Sequence, residues 1–81
     1  MRFRLSVHAT EDYKALSPKV RKSAQKQFNF LVRNLRHPSL RAKKYGESTS
    51  LWQGRIDGSW RFYFLIFDEW YLIVSIRKHP K

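Results

Sequence analysis

The chain of 81 residues carries 17 Lys and Arg against six Asp and Glu, which gives a formal net charge of +11. This length supports one hydrophobic core and therefore one domain, residues 1–81. Hydrophobic residues make up 42% of the chain, enough to close that core and to argue against disorder. The absence of cysteine excludes disulfides, a thiolate nucleophile and a Cys-type zinc site. So large a charge costs self-repulsion, and it indicates a polyanionic partner, with nucleic acid favoured over an acidic protein.

The chain begins with a predicted strand. Residues 2–8 alternate between polar and apolar side chains, which would place Phe3, Leu5 and Val7 on one face. No apolar segment has the length of a signal peptide core or of a membrane span. We therefore expect a cytoplasmic protein with no membrane partner.

A short helix is predicted to follow the first strand. Thr10 supplies an N-cap hydroxyl, and the next two residues, Glu11 and Asp12, place negative charge near the positive end of the helix dipole. Pro18 disfavours helical geometry at the residue before it, so the helix is expected to end before Ser17.

The second predicted helix is the longest element. Ser17 is its N-cap and Pro18 its first residue, and His37-Pro38 is expected to stop it. Apolar residues recur at helical spacing: Val20, Ala24, Phe28, Leu31 and Leu35. Basic residues fall on roughly the opposite side: Lys19, Lys22, Lys26, Arg33 and Arg36. This basic flank is either a solvated surface or a surface that faces a polyanion.

The last third of the chain predicts three antiparallel strands, over 52–56, 60–67 and 70–78. Asp57-Gly58 is a strong hairpin signal because both residues tolerate positive φ. Residues 38–50 predict a loop with a basic cluster formed by Arg41, Lys43 and Lys44. With the first strand, the order is βααβββ, an α+β fold in which two N-terminal helices pack on a small antiparallel sheet.

Alternation divides the side chains of these three strands between two faces of the sheet. The predicted core face consists of Trp52, Ile56, Trp60, Phe62, Phe64, Ile66, Leu72, Val74 and Ile76. On the opposite parity, Gln53 and Arg55 share a face of their strand, as do Arg61 and Tyr63 on the next strand and Tyr71, Arg77 and His79 on the last. Cations and an imidazole converge if these three faces coincide, which alternation within each strand leaves open. A core position would cost Arg61 its solvation, so we expect this arginine on an open face.

The polar face suits phosphodiester chemistry without a metal. Guanidinium groups stabilise the charge that gathers on phosphate oxygens, and a histidine moves a proton. His79 is the candidate histidine because it follows strand-borne cations, although a chain-end residue can also be simply solvated. His8 and His37 have no evident chemical partner and are expected to be structural or exposed. The six acids fall at helix starts and turns, which argues against a metal-dependent nuclease.

Several segments, taken in order, resemble the RelE/ParE toxin superfamily over nearly the whole chain. They are the β-α-α opening, the run 37–40, the stretch from Trp52 through Arg55, Gly58 and Trp60 to Tyr63, and the terminal Ile76 and His79. Toxins of this superfamily are held inactive by a cognate antitoxin. They cleave mRNA in the ribosomal A site or, in the ParE branch, inhibit DNA gyrase.

The resemblance implies roles for individual residues. Arg61 matches the strand-borne arginine that contacts the scissile phosphate, while Arg55 and Gln53 fall where ribosome-dependent members place Lys or Arg. His79 falls near the position of a basic or catalytic residue. We expect Arg61, His79 and Arg55 to be catalytic and six further residues to bind RNA: Gln53, Arg77, Lys78, Tyr63, Lys43 and Lys44.

The expected function is therefore that of a toxin that inhibits translation by metal-independent, ribosome-dependent mRNA cleavage, without a cofactor. Its expected partners are an acidic antitoxin and the ribosome with its mRNA. Ribosome-dependent members commonly have a further aromatic residue, often Tyr, after that basic position, whereas His79 is followed here by Pro80 and Lys81. The alternatives are therefore proton transfer by His79 alone, substitution by Tyr63, a ParE-like gyrase inhibitor, or a catalytically impaired protein that binds RNA or an antitoxin.

Overall fold

The computed structural model describes residues 1–46 and 48–79, so Pro80 and Lys81 lie outside it. The strands are β1 (Arg2–Leu5), β2 (Lys43–Lys44), β3 (Trp52–Arg55), β4 (Trp60–Ile66) and β5 (Trp70–Lys78). The helices are α1 (Val7–Lys14) and α2 (Pro18–Arg33), followed by a 3₁₀ turn over Pro38–Leu40. No helix in these two ranges has both the length and the apolar character needed to span a bilayer.

The strands form one sheet in the order β1-β5-β4-β3-β2. The α+β class, with two helices between the first strand and the C-terminal meander, is confirmed. Two details differ from the prediction. β1 pairs in parallel with β5, so the sheet is mixed, and Lys43–Lys44 add a short edge strand within the predicted loop. The parallel pair joins strands that are distant in the sequence, so no tight turn fixes their relative direction.

Helix α1 begins earlier than predicted. The N-cap is Ser6, whose Oγ accepts a hydrogen bond from the Ala9 amide at 3.0 Å. Thr10 lies inside the helix, and its hydroxyl donates to the Ser6 carbonyl at 2.8 Å. Val7 consequently leaves the strand and is 83% exposed. The prediction that the strand continues past Leu5 was therefore wrong, because the alternating segment contains Ser6, whose hydroxyl caps a helix.

The start of α2 is confirmed and its end is earlier than predicted. Ser17 is the N-cap, its Oγ accepting from the Val20 amide at 3.3 Å, and Pro18 is the first helical residue. The helix ends at Arg33, and the next residue, Asn34, is extended, with φ −163°. The Asn34 side chain then accepts a hydrogen bond from the Arg36 amide, a local turn that competes with helix continuation.

The core lies between the helices and one face of the sheet. Its largest fully buried side chains are Phe28, Phe62, Phe64, Leu31, Leu40 and Ile73. The Phe28 ring meets the Phe62 ring edge-on, at 5.1 Å between centroids. Trp52 and Trp60 pack against this cluster while remaining half-buried, in agreement with their predicted parity.

A bulge in β5 overturns part of the predicted core face. Tyr63 pairs with Ser75, but Phe64 pairs with Ile73, so Val74 is an extra residue in β5. Before this bulge the side chains change face: Tyr71 and Ile73 are buried, while Leu72 and Val74 are only half-buried. Ile66, at the end of its strand, is exposed rather than in the core.

Candidate functional site

Strand pairing aligns three arginines across the face of the sheet that the helices leave uncovered, here called the open face. Arg55 lies opposite Arg61 in the β3–β4 pair, and Arg61 lies opposite Arg77 in the β4–β5 pair. Residues paired in this way project to the same side. The structure thus brings together three side chains that the sequence placed on separate strands. We call Arg55, Arg61 and Arg77 the arginine row.

A second row lies beside the arginine row on the open face. Pairing places Lys43 opposite Gln53, Gln53 opposite Tyr63, and Tyr63 opposite Ser75. The Tyr45 ring packs edge-on against Tyr63, with 5.2 Å between the centroids. A groove of about 240 Å³ opens here, lined by Tyr45, Leu51, Tyr63, Ser75 and Arg77. Aromatic and cationic groups therefore share one surface, as in single-strand binders.

The β3–β4 turn fixes the position of Arg61. Its Nη1 donates to the carbonyl oxygens of Asp57, at 2.6 Å, and Trp60, at 2.9 Å. Asp57 Oδ1 accepts from the amides of Ser59 and Trp60. The predicted hairpin is present, but its turn does not depend on positive φ at Gly58, because the positive φ values of the described chain fall at Arg41 and Gly46. The Asp57 side chain stabilises the turn instead.

The electrostatic environment of Arg61 favours an anion. Partial burial lowers the pKa of its guanidinium, the adjacent Arg55 lowers it further, and Asp57 opposes them. The one salt bridge within residues 1–46 and 48–79 joins His8 to Asp12. The arginine row therefore has no carboxylate within 4 Å among those residues. A phosphate oxygen would satisfy both the charge and the remaining N–H donors of Arg61.

His79 directly follows β5, two residues after Arg77 of the arginine row. Its amide donates to the Ser59 carbonyl at 2.6 Å, so β4–β5 pairing continues one step beyond β5. Alternation continued past Lys78, the last residue of β5, would give the exposed His79 the same parity as Arg77.

Two predicted RNA-binding residues are not brought to the open face. Lys44 pairs with Trp52 and Lys78 pairs with Trp60, so both have the parity of the covered face and lie exposed at its margins. Tyr71, expected beside the site, is buried in the core, and burial raises the pKa of its hydroxyl.

The other two histidines have local partners. His8 Nε2 lies 3.4 Å from Asp12 Oδ2, and the His37 ring stacks on Phe30 with 3.9 Å between centroids. The described residues contain no group of three or more His, Asp or Glu side chains close enough to share a metal ion.

Sequence reasoning missed two residues near the site, Gln27 and Arg41. Gln27 is 5% exposed, and its Nε2 donates to the carbonyls of Arg55 at 2.7 Å and Ser39 at 3.0 Å. It thereby connects α2 to the strand end that carries Arg55. Its place one residue before Phe28, on the apolar side of α2, was a signal that this amide is buried and needs partners. Arg41 had been grouped only with the loop lysines.

Solved structures share this fold over almost their whole lengths. A YoeB/ParE toxin from Agrobacterium tumefaciens aligns with a TM-score of 0.80 and 13% identity, covering 99% of this chain and 100% of that one. The YoeB–YefM complex from Staphylococcus aureus gives 0.80 and 22%, over 99% and 98% of the chains. An archaeal RelE–RelB complex from Pyrococcus horikoshii gives 0.81 and 12%, over 99% and 96%.

No protein-family model matches the sequence, and no curated protein is significantly similar to it. The structural similarity, at identities below 25%, establishes the fold. The chain has the RelE/ParE-like toxin fold, and the resemblance noted from its sequence is confirmed at that level.

Proposed function

We propose that the protein is the toxin of a type II toxin–antitoxin pair and that it inhibits translation by cleaving mRNA on the ribosome. The observation that carries this proposal is the arginine row: three cations aligned on adjacent strands, without a carboxylate partner in the described chain. The RelE/ParE-like fold supports the same assignment.

The proposed reaction is an internal transesterification. The 2′-oxygen of a ribose attacks the adjacent phosphorus, and the bond from phosphorus to the 5′-oxygen breaks. The products are a 2′,3′-cyclic phosphate and a 5′-hydroxyl. One proton leaves the 2′-hydroxyl and one reaches the 5′-oxygen, so the step balances without a metal or an oxidant.

Each residue of the site has a proposed role in that step. Arg61, held by two backbone carbonyls, and Arg55 stabilise the charge that develops on the phosphate oxygens. His79 transfers one of the two protons, and solvent completes the other transfer. Gln53, Tyr63 and Arg77 bind the neighbouring nucleotides. Lys43 and Lys44, at the sheet edge, and Lys78 contribute charge to RNA binding.

An acidic antitoxin is the proposed regulator. The fold neighbours include YoeB–YefM and RelE–RelB complexes, and the charge of +11 would attract an acidic chain. We expect a short reading frame for such a protein beside this gene. Its co-expression should suppress growth inhibition by this chain.

The direct test uses ribosomes programmed with a defined mRNA. The unmodified chain should produce cuts with 5′-hydroxyl ends, and Arg61→Ala should slow cleavage by about 100-fold or more. His79→Gln should also slow it. Arg2→Ala is the matched control, because this exposed arginine pairs with Trp70 at the opposite end of the sheet. It should cleave at the unmodified rate.

One outcome would contradict the nuclease proposal, and another would contradict only the role of His79. Intact mRNA with the unmodified chain would exclude ribosome-dependent cleavage, and inhibition of gyrase supercoiling under matched conditions would then identify ParE-like action. A fully active His79→Gln variant would remove the histidine from the mechanism and leave Tyr63 to be tested by Tyr63→Phe.

A further inference from the structure

Arg41 has an unusual backbone conformation for its residue type. It follows the 3₁₀ turn with φ 46° and ψ 42°, the left-handed region, and its amide donates to the Pro38 carbonyl at 3.3 Å. In the described chain it is the one non-glycine residue with positive φ. Glycine adopts this conformation at lower cost, so an arginine here suggests that the side chain has a use.

Arg41 lies between two open grooves. The first, of about 460 Å³, lies between Arg41 and Arg55 and continues to Gly58. The second, of about 200 Å³, lies between Arg41, Arg36 and Trp52. Because Arg55 belongs to the arginine row, the two grooves extend the row past Arg41 toward the end of α2.

The charges along this path favour an anionic chain. Arg41 is close enough to contribute to the lowered pKa of Arg61, after burial and Arg55. The carboxylate that lines the first groove, Asp57, already accepts two backbone hydrogen bonds through Oδ1. Arg41 itself has no carboxylate within 4 Å among residues 1–46 and 48–79.

The walls of the second groove are held in place before any ligand binds. Trp52 stacks on Phe64, with an interplanar angle of 28°. His37 stacks on Phe30 at an angle of 10°, and its Nδ1 accepts from the Ser39 amide at 3.2 Å. Two packed aromatic rings, those of Trp52 and His37, beside the guanidinium of Arg41 suit a nucleotide, whose base stacks while its phosphate meets the charge.

We infer that Arg41 binds a phosphate adjacent to the scissile one and that the groove between Arg41 and Trp52 holds the nucleotide attached to it. This inference rests on the proposed function, since it extends the same RNA site. The substrate would then be single-stranded RNA with at least two nucleotides bound. Its backbone would run from the arginine row across the 3₁₀ turn. The basic residues within α2 are not part of this path, whereas Arg36, which lies three residues beyond the end of the helix, lines the second groove.

The test measures binding of a short single-stranded RNA whose reacting ribose carries a 2′-deoxy substitution, so that it cannot be cleaved. Arg41→Gly removes the charge and keeps a residue suited to positive φ, and Arg41→Lys keeps the charge. Arg2→Gly is the matched control. We expect Arg41→Gly to weaken binding about tenfold and to reduce the slope of log affinity against log salt by about 0.7. Arg41→Lys and Arg2→Gly should leave the slope unchanged.

Neutral methylphosphonate linkages, placed one at a time, locate the phosphate. The unmodified chain should lose affinity when the linkage at the reacting ribose or an adjacent one is neutral. For Arg41→Gly, making one of the adjacent linkages neutral should no longer reduce the affinity. Thermal unfolding of Arg41→Gly, followed by circular dichroism, should show a midpoint no lower than that of the unmodified chain.

The outcomes separate this inference from the proposed function. Suppose that mRNA is cleaved, but that Arg41→Gly has the same slope of log affinity against log salt as the unmodified chain and loses affinity at the same neutral linkages. The Arg41 site is then refuted, and the proposed function is not. If Arg41→Gly behaves as expected while mRNA stays intact on ribosomes, the nuclease proposal fails and the phosphate site stands. Absence of RNA binding by the unmodified chain at low salt would also overturn the inference.

Discussion

The two faces of the sheet are built from the same strands, but they differ in burial, in charge and in hydrogen bonding. The covered face buries a continuous aromatic cluster, in which Phe28, Phe62 and Phe64 are fully buried. Every buried side-chain nitrogen or oxygen in the described chain has a hydrogen-bond partner. The open face instead gathers the arginine row, whose members repel one another and lack a carboxylate within 4 Å in that same part of the chain.

This difference separates the residues that stabilise the fold from those available for binding. Burial of apolar area supplies the free energy of folding on the covered face. Adjacent like charges on the open face contribute nothing comparable and oppose folding slightly. Substitutions at adjacent residues of one strand should therefore change stability by very different amounts, and four predictions test this contrast.

The largest effect is expected for Phe62→Ala. It deletes a fully buried ring from the core, so we expect the free energy of unfolding to fall by about 3–5 kcal/mol. Urea denaturation followed by circular dichroism measures the change. The neighbouring Arg61→Ala, on the open face, should change stability by about 0.5 kcal/mol or less. Equal losses for the two variants would break the contrast between the faces.

Gly54→Ala tests how closely the covered face is packed. A Cβ at this position would lie 2.4 Å and 2.6 Å from two atoms of the Phe62 ring. The ring must move, and we expect a loss of about 1–3 kcal/mol in the same denaturation experiment. The control is Gly58→Ala in the exposed turn, where the nearest atom lies at 3.8 Å. A neutral Gly54→Ala would mean that the Phe62 ring can be displaced freely.

Gln27→Leu tests the connection between the two faces. It removes the donor to the part-buried Arg55 and Ser39 carbonyls and places an apolar side chain beside them, at a cost of about 1–3 kcal/mol. Because Arg55 loses its anchor to α2, RNA cleavage should fall as well. Gln25→Leu, at an exposed position of the same helix, is the control for both measurements. Unaltered cleavage by Gln27→Leu would show that Arg55 is positioned by strand pairing alone.

The smallest effect at neutral pH is expected for Tyr71→Phe. Burial raises the pKa of Tyr71 above its ordinary value of 10.0, so the unfolded chain loses this proton first. The stability that the protonated hydroxyl contributes is fully present below pH 10.0 and is lost as the pH rises above it. Tyr71→Phe should therefore retain more of its stability than the unmodified chain above that pH. Parallel losses in the two proteins would contradict a buried, protonated Tyr71.

The sequence was informative wherever local chemistry decides the structure. Ser17 and Pro18 mark the start of α2, and the three C-terminal strands were found because their apolar runs are bounded by turn residues. The parity that placed Arg55 and Arg61 on the open face was also correct, because the helices bury the opposite side of those strands.

The rest of the structure depends on tertiary contacts. The bulge at Val74 reverses the parity of the first part of β5, and pairing with β4 reveals it. Parallel pairing of β1 with β5 joins distant segments. Either the Ser6 or the Thr10 hydroxyl could cap a helix. Ser6 is the N-cap in the structure, where its hydroxyl also donates a hydrogen bond to the Val74 carbonyl of β5, a tertiary contact. Arg41 was assigned to the basic cluster of the loop, but its backbone conformation was not predicted, because nothing in the sequence marks a non-glycine residue with positive φ.

The central claim is that RNA binds the open face, and chemical-shift mapping of the backbone amides during titration with single-stranded RNA tests it most directly. The account predicts that the largest shifts occur on the open face and at Arg41, with its marker residues being Gln53, Arg55, Arg61, Tyr63 and Arg77. Shifts confined to the basic flank of α2, at Lys19, Lys22 and Lys26, would contradict the account.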